Sequence, residues 1–371
     1  MLPEPMILVE EGRILSIASR QDVEMPPAVE ILDYTGSVIA PAFLDVHIHG
    51  CAGHDVMEGS SDALLAISRF LGQRGTGSFL ATTVTAPLNV TLKSLSNLAR
   101  QLRQIQEWPG AMPFGIHLEG PFLSHAKRGV HPVEHLREPS IEIFDQLFDA
   151  AEGMVRLMTL APELPGAEAL TRHAKQRGVR VSMGHSNATA AEAERLIRAG
   201  ATSATHTFNA MRALDHREPG IAGVVLSEPG LFAELICDGI HVDPRMVRLW
   251  WRLKGSQHGI LVTDAMAATG MPDGEYRLGG MPVQVANGKA TAGGVLAGSV
   301  LTLDQALKNM IAFTGAGLAE SLPLLTRNPA QMIGLEERGR LSPGKRADIV
   351  VLADDGRLIA SLVGGVSVAP G

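Results

Sequence analysis

Short apolar runs alternate with amphipathic stretches along this chain, and that alternation sets the first expectation. Eight runs read as strands: PAFLDVHIH (41–49), GSFLATTVTAP (77–87), PFGIHLEG (113–120) and VRLMTLAPE (155–163), then VRVSMGHS (179–186), ATSATHTFNA (201–210), LFAELICDG (231–239) and GILVTDAM (259–266). Between most of them lie stretches such as SDALLAISRFLGQRG (61–75), TLKSLSNLARQLRQIQ (91–106) and TAAEAERLIRAG (189–200). Their apolar residues recur three and four apart, the period of a helix with one buried face. The third follows an N-cap cluster, Ser186 to Thr189, and stops at Gly200. Strands that are each followed by a helix or a long loop predict parallel βα units. Eight such units over roughly 250 residues match a TIM barrel in size. A doubly wound sheet is the competing α/β architecture, but no GxGxxG follows the first strand and no P-loop is present.

The two ends follow a different rhythm. MILVEEGRILSI (6–17) and VEILDYTGSVIA (29–40) read as short strands around a glycine turn, and GRLSPGKRADIVVLADDGRLIASLVGGVSV (339–368) reads the same way. Helical stretches at about 302–314 and 319–333 precede the latter. The expectation is a (β/α)8 barrel over 40–335 and a small β-sandwich domain assembled from 1–39 together with 336–371.

Composition narrows the partners. With 371 residues, a net charge of −7 and 19% charged residues, the chain has no basic excess for nucleic acid or an anionic membrane. No apolar run approaches the ~18–20 residues of a membrane span. The start, MLPEPMILVEEGR, carries an acidic pair where a signal peptide would need a positive n-region. Cys51 and Cys237 are too few for a disulfide framework, and both are expected to be buried thiols. A soluble, cytoplasmic protein is expected.

Polar residues then change the picture. His47, His49, Glu119, His185, His206 and Asp264 each fall at or just past the C-terminal end of a predicted strand, namely the first, third, fifth, sixth and eighth. In a TIM barrel that face carries the active site, so six imidazoles and carboxylates distant in sequence would meet in one pocket. His47 and His49 are two apart and share a side of their strand. A His/carboxylate set with nothing softer suits Zn²⁺ or Fe²⁺. Each residue alone has a bland alternative: an incidental His-x-His, a strand-end Glu paired with an Arg, a capping or core histidine, an N-cap Asp. Joint placement on one face weighs against them all. His117 should face inward beside Glu119 as its partner. His54, His125, His135, His173, His216 and His258 are expected at the surface or as caps.

With these residues assembled, the chain resembles the amidohydrolase superfamily and, within it, the family of N-acetylglucosamine-6-phosphate deacetylases. The motifs are FLDVHIHG, HLEGPF, RGVHP, GHSNAT, THTFNAM, REPG, DGIHVD, TDAM and LAGS, in that family's order. HLEGPF, THTFNAM and DGIHVD are the specific ones; HIH, TDAM and the late GKRADIVVL speak for the superfamily only. The resemblance implies a divalent metal, Zn²⁺ or Fe²⁺, held by Glu119, His185 and His206. It also implies a second site at His47 and His49 with Asp264 close by, since relatives with one metal carry Gln-x-Asn at the first strand. Asp264 would be the acid/base of amide hydrolysis and His131 the donor to the carbonyl oxygen, releasing acetate and an amino-sugar phosphate. Substrate contacts carried over in the same way are Val130, His131, Asn209, Ala210, Arg217, Asp238, Gly239, Ile240, His241, Leu296, Ala297 and Gly298. Arg217 would reach the neighbouring subunit's pocket, which implies a homodimer.

Two departures from the family pattern stand out. The family usually has another strand or so before ILVEEGRI, so the N-terminus reads as short, which a late start codon or a trimmed chain would explain. Ala42 replaces the commoner glycine before the first barrel strand and must adopt a backbone that a β-carbon tolerates. Two other readings compete: a different amidohydrolase acting on a cyclic amide or an N-acyl amino acid, and a metal-free barrel that has lost catalysis.

Overall fold

A computed structural model describes residues 2, 4–22 and 29–368. Parts of the segments assigned from sequence to the small β domain, 1, 3, 23–28 and 369–371, lie outside the described residues.

The chain opens with β1 (Pro5–Glu10) and β2 (Arg13–Ser19), an antiparallel hairpin, followed by β3 (Val38–Pro41). The hairpin turns on Glu11 and Gly12, both at positive φ, the two-residue geometry that matches strand twist. Of VEILDYTGSVIA only the last residues form a strand; 29–37 is irregular.

The barrel begins at β4 (Phe43–Ile48), which leads into a minute hairpin of β5 (Gly50–Cys51) and β6 (His54–Asp55). It continues through β7 (Thr76–Thr83), β8 (Met112–Glu119), β9 (Val155–Leu160), β10 (Arg180–Met183), β11 (Ser203–Ala204), β12 (Phe232–Ile236) and β13 (Gly259–Val262). Helices α1 (Ser61–Gln73), α2 (Leu88–Gln104), α3 (Ile141–Ala150), α4 (Ala167–Gln176), α5 (Ala190–Ala199), α6 (Gly220–Ser227) and α7 (Pro244–His258) alternate with these strands, and α8 (Leu303–Thr314) follows the last. All eight predicted runs are strands of one parallel sheet in sequential order. The seam between first and last strand is closed by few bonds: the Asp264 N–H donates to His47 O at 2.9 Å and the His49 N–H to Ala265 O at 2.8 Å. Thr263 Oγ1 reinforces the seam by donating to Asp45 Oδ2 at 2.6 Å.

Capping chemistry sets the helix ends as the sequence suggests. Thr189 and Glu192 form a reciprocal capping box at the start of α5, and Gly200 at positive φ ends it. The predicted helix over 319–333 is instead two short helices joined by a 3-10 turn. Pro323 and Pro329 lie inside that stretch, where a missing N–H and a fixed ring break a continuous ladder.

After β13 the chain inserts an antiparallel sheet that the sequence reading did not anticipate: β14 (Gly274–Leu278), β15 (Met281–Ala286), β16 (Lys289–Ala292) and β17 (Val295–Leu296). Gly279-Gly280, Asn287-Gly288 and Gly293-Gly294 make its three two-residue turns, every one with both residues at positive φ. Asn-Gly and Gly-Gly between apolar runs are the residues this turn requires, so the signal was present.

The chain closes with β18 (Ile349–Leu352), β19 (Leu358–Val363) and β20 (Val366–Val368), which form a four-stranded sheet with β3 in the order β20-β19-β18-β3. The period of two in β18 divides its side chains between two cores. Ile349 and Val351 pack with Ile14 and Leu362, while Val350 and Leu352 join the barrel core. The hairpin docks beside this sheet through Ile14 N–H to Lys345 O and Gly344 N–H to Ile14 O, both 2.8 Å. The Ala42 N–H donates to Asp348 O and the Phe43 N–H to Gly75 O, both at 2.9 Å, which places this assembly under the N-terminal ends of the first barrel strands. Ala42 avoids positive φ, so its methyl is accommodated.

Candidate metal centre

At the opposite end of the barrel the six singled-out side chains converge. His47 is the fifth residue of β4 and His49 lies just past it; Glu119 ends β8; His185, His206 and Asp264 follow β10, β11 and β13. All six are buried. His185, His206 and Asp264 sit at φ of 45°, 29° and 50°, a region non-glycine residues rarely occupy. The bend at each strand end turns these side chains in towards the barrel axis, and backbone strain of this kind concentrates at functional sites.

Glu119 is the hub. Its Oε1 lies 3.2 Å from His185 Nε2, 3.1 Å from His206 Nε2 and 3.3 Å from His47 Nε2. Its Oε2 lies 3.3 Å from His49 Nε2 and 3.5 Å from His131 Nε2. Asp264 Oδ1 completes the group at 3.1 Å from His49 Nε2 and 3.6 Å from His47 Nε2. Donors held at about 2.1 Å around one cation stand roughly 3.0–3.4 Å from one another, which is the spacing seen here. His47 Nε2 is buried with no hydrogen-bond partner, an orphan that a cation would satisfy.

The outer nitrogens decide what each imidazole can do. His185 Nδ1 donates to Lys127 O at 3.0 Å, His49 Nδ1 to Thr82 O at 3.0 Å and His47 Nδ1 to Glu234 Oε2 at 3.3 Å. With the ring proton fixed on Nδ1, each presents a lone pair at Nε2, as a metal ligand must. His131 is the reverse. The Thr85 backbone N–H donates to His131 Nδ1 at 3.3 Å, with Thr85 Oγ1 2.8 Å from the same atom. A proton on Nε2, facing the pocket, satisfies that contact; Glu119, His131 and His185 also lie at ligand spacing from one another. Gly120, at φ 101°, has no room for a side chain because a Cβ there would collide with Thr85 Oγ1.

Electrostatics agree with a cation. Burial works to raise the Glu119 carboxyl, but His47 and the hydrogen bonds of His131, His185 and His206 outweigh it and hold it well below the usual range. Burial likewise opposes ionisation of Asp264, yet His47 and His49 bring it down to about 2. Against the burial penalty, Asp264 and Glu119 raise His49 to about 9 and His47 well above its ordinary value. These buried carboxylates have no lysine or arginine ion pair among the described residues; imidazoles are their only cationic partners. His117 faces inward as anticipated, its Nε2 2.8 Å from Thr159 Oγ1 and its ring edge-on to His47, and burial holds it well below its ordinary value.

A cavity of about 590 Å³ opens over the cluster. His49, Glu119, Val130, His131, His185, His206, Asn209, Ala210, His241, Asp264, Leu296 and Gly298 line it. Asp238, Gly239, Ile240, Ala297 and Arg217 do not. Asp238 instead fixes His241: its Oδ2 accepts from His241 Nδ1 at 2.6 Å and its Oδ1 from the backbone N–H groups of Ile240 and His241. Arg217 is exposed in a loop that Asp215 braces by accepting from the N–H groups of Arg217 and Glu218. His125, Lys127 and Arg128 also line the cavity, as do Leu278 and Val295 of the inserted sheet; the sequence reading placed none of them there. It also passed over Glu234 and Asp45, although a lone acid inside an apolar strand run is itself a signal.

The family model described as Amidohydrolase family matches residues 38–368. The chain belongs to the amidohydrolase family. Among curated relatives of this amidohydrolase is the N-acetylgalactosamine-6-phosphate deacetylase of Escherichia coli O157:H7, 40% identical, with 93% of each chain covered. Another is the N-acetylglucosamine-6-phosphate deacetylase of Bacillus subtilis, 37% identical over 96% of this chain and 91% of the relative. The solved N-acetylglucosamine-6-phosphate deacetylase of Pasteurella multocida superposes with a TM-score of 0.91 at 32% identity, covering 99% of this chain and 95% of that one. The Mycobacterium smegmatis enzyme, solved as a D267A mutant in complex with N-acetyl-D-glucosamine-6-phosphate, gives 0.89 at 35% identity over 98% and 94%. No helix among the described residues is long and apolar enough to cross a membrane.

Proposed function

We propose that this amidohydrolase removes the acetyl group of N-acetylglucosamine 6-phosphate by metal-dependent hydrolysis, giving glucosamine 6-phosphate and acetate in amino-sugar catabolism. The observation that carries the reading is the gathering of two proton-handling groups at one ligand cluster: Asp264, whose Oδ1 lies 3.1 Å from His49 Nε2, and His131, whose Nε2 lies 3.5 Å from Glu119 Oε2. Glu119, His185 and His206 would hold one divalent cation, Zn²⁺ or Fe²⁺, and His47, His49 and Asp264 would lie around a second, with Glu119 shared. Such a cation, when bound, polarises the carbonyl and lowers the pKa of a coordinated water towards neutrality. Asp264 takes the proton of the attacking water and returns it to the amine nitrogen as the C–N bond breaks. His131 Nε2–H donates to the carbonyl oxygen, where negative charge develops. Substitution by a metal-free scaffold role is disfavoured by the same cluster, since a scaffold has no use for buried carboxylates set at ligand spacing.

The phosphate reading rests on cations in the wall. Burial works against a charged His241, but Asp238 raises its pKa above the ordinary value, and Lys127 and Arg128 line the same cavity. Asn209, Ala210, Val130, Leu296 and Gly298 would shape the sugar subsite; Gly239, Ile240 and Ala297 would act through the backbone that carries these residues. Arg217 faces outward and makes no ion pair among the described residues, which fits its proposed service to the pocket of a second subunit in a homodimer. We place the enzyme in the cytoplasm, where its two buried free thiols need no oxidising compartment. Catalysis would belong to residues 40–335, with 1–39 and 336–371 as a separate small β domain.

A substrate panel tests the reading. The phosphorylated N-acetylhexosamines should exceed N-acetylglucosamine and N-acyl amino acids in kcat/KM by about 100-fold or more, the worth of one or two charge-assisted hydrogen bonds. Equal acetate release from the unphosphorylated sugar would remove the phosphate from the assignment. Because a 40% identical relative acts on the galactosamine compound, the panel includes both epimers. Arg217→Ala should raise KM for the phosphorylated sugar by roughly 10–100-fold with kcat little changed. An equal rise for the unphosphorylated sugar would rule out a phosphate contact.

A further inference from the structure

We propose that Glu234 is a positioning residue for the second metal site: its carboxylate fixes His47 so that His47 Nε2 is delivered as a ligand, and so decides whether that site fills. The inference rests on the two-metal reading above. Glu234 lies on β12, in the seventh barrel strand, and is wholly buried. Its Oε2 stands 3.3 Å from His47 Nδ1 and accepts from the His206 backbone N–H at 3.3 Å, while Oε1 has no partner. No lysine or arginine pairs with it among the described residues. A carboxylate at this depth is costly unless a positive group compensates it, and the one charged contact it makes is to His47.

That contact has a direction. An Nδ1–H given to a carboxylate locks the tautomer and makes the opposite nitrogen more basic, the arrangement found behind metal-ligating histidines. The opposite nitrogen here is the orphaned His47 Nε2, 3.3 Å from Glu119 and 3.6 Å from Asp264. His49 and His185 obtain the same tautomer from neutral carbonyls, so the charged support is confined to His47. His117 does not compete for it, since its Nε2 is engaged by Thr159.

Zn²⁺ titration of the metal-stripped full chain, with bound metal counted after gel filtration, tests the assignment. Glu234→Gln keeps an oxygen that can accept from both His47 and His206 but removes the charge. Its second equivalent of Zn²⁺ should bind about 10–100-fold more weakly than in the parent, with the first equivalent unchanged. Glu234→Leu should lose the second equivalent altogether and also melt lower when metal-free, because the His206 N–H and His47 Nδ1–H then lack their acceptor. Should the leucine variant fail to fold, the glutamine variant decides alone. Unchanged binding of the second equivalent in Glu234→Gln overturns the proposal, and so does equal weakening of both equivalents. A parent that takes up only one Zn²⁺ sinks the two-metal reading itself, a result separate from either.

Discussion

Replacing Asp264 by Asn is expected to leave bound metal in place while cutting turnover by roughly 10²–10⁴-fold, the usual worth of a positioned acid/base. The amide matches the carboxylate in shape and keeps an oxygen at the position 3.1 Å from His49 Nε2, so the ligand cluster should survive. What it cannot do is accept and return a proton. The carboxylate begins deprotonated, because His47 and His49 outweigh the burial that opposes its ionisation. The variant should therefore lose kcat and kcat/KM together. A kcat near that of the parent would take the acid/base role away from Asp264.

Chelation should abolish activity and lower thermal stability together, with Zn²⁺ or Fe²⁺ restoring both. A ligand held at 1,000 times its Kd contributes about 4 kcal/mol to the folded state, so a drop of several degrees in melting temperature is expected. The loss should grow with pH. In the metal-free protein, protons on His47 and His49 stand in for the cation, with His49 raised to about 9. A group whose folded pKa is raised stabilises fully below its unfolded value near 6.5 and loses that contribution as pH rises through the folded one. The gap in melting temperature between loaded and stripped protein should thus widen between about pH 6.5 and 9. Stripped protein that keeps full turnover would end the metal-dependent reading.

The barrel was legible because its signal is periodic and repeated eight times, and the cluster because six residues fell at one kind of position. Glu119 illustrates the gain from three dimensions. In the sequence it is a carboxylate at the closed end of an apolar run; in the structure it is the atom pair on which five imidazoles converge. What escaped the sequence depended on non-local partners. Nothing local to Thr85 shows that its N–H would set the tautomer of His131, 46 positions away. Glu234 meets His47 only because the seventh strand curves round to the first. The inserted sheet is the opposite case, since its glycine turns are local and plain in the sequence.

The pairing of β3 with β18 has a consequence for how the molecule is made. Val38 faces Leu352 and Pro41 faces Ile349, so β3 cannot find its neighbour until more than 300 further residues have been made. The seam of the barrel imposes the same delay, because His47 and His49 bond across to Asp264 and Ala265. Nascent chain therefore carries an unpaired strand edge through most of translation, the condition under which long-range β pairing is slow and exposed to aggregation. A chain that ends just before residue 349 has every residue of the ligand cluster but lacks the strand that pairs with β3.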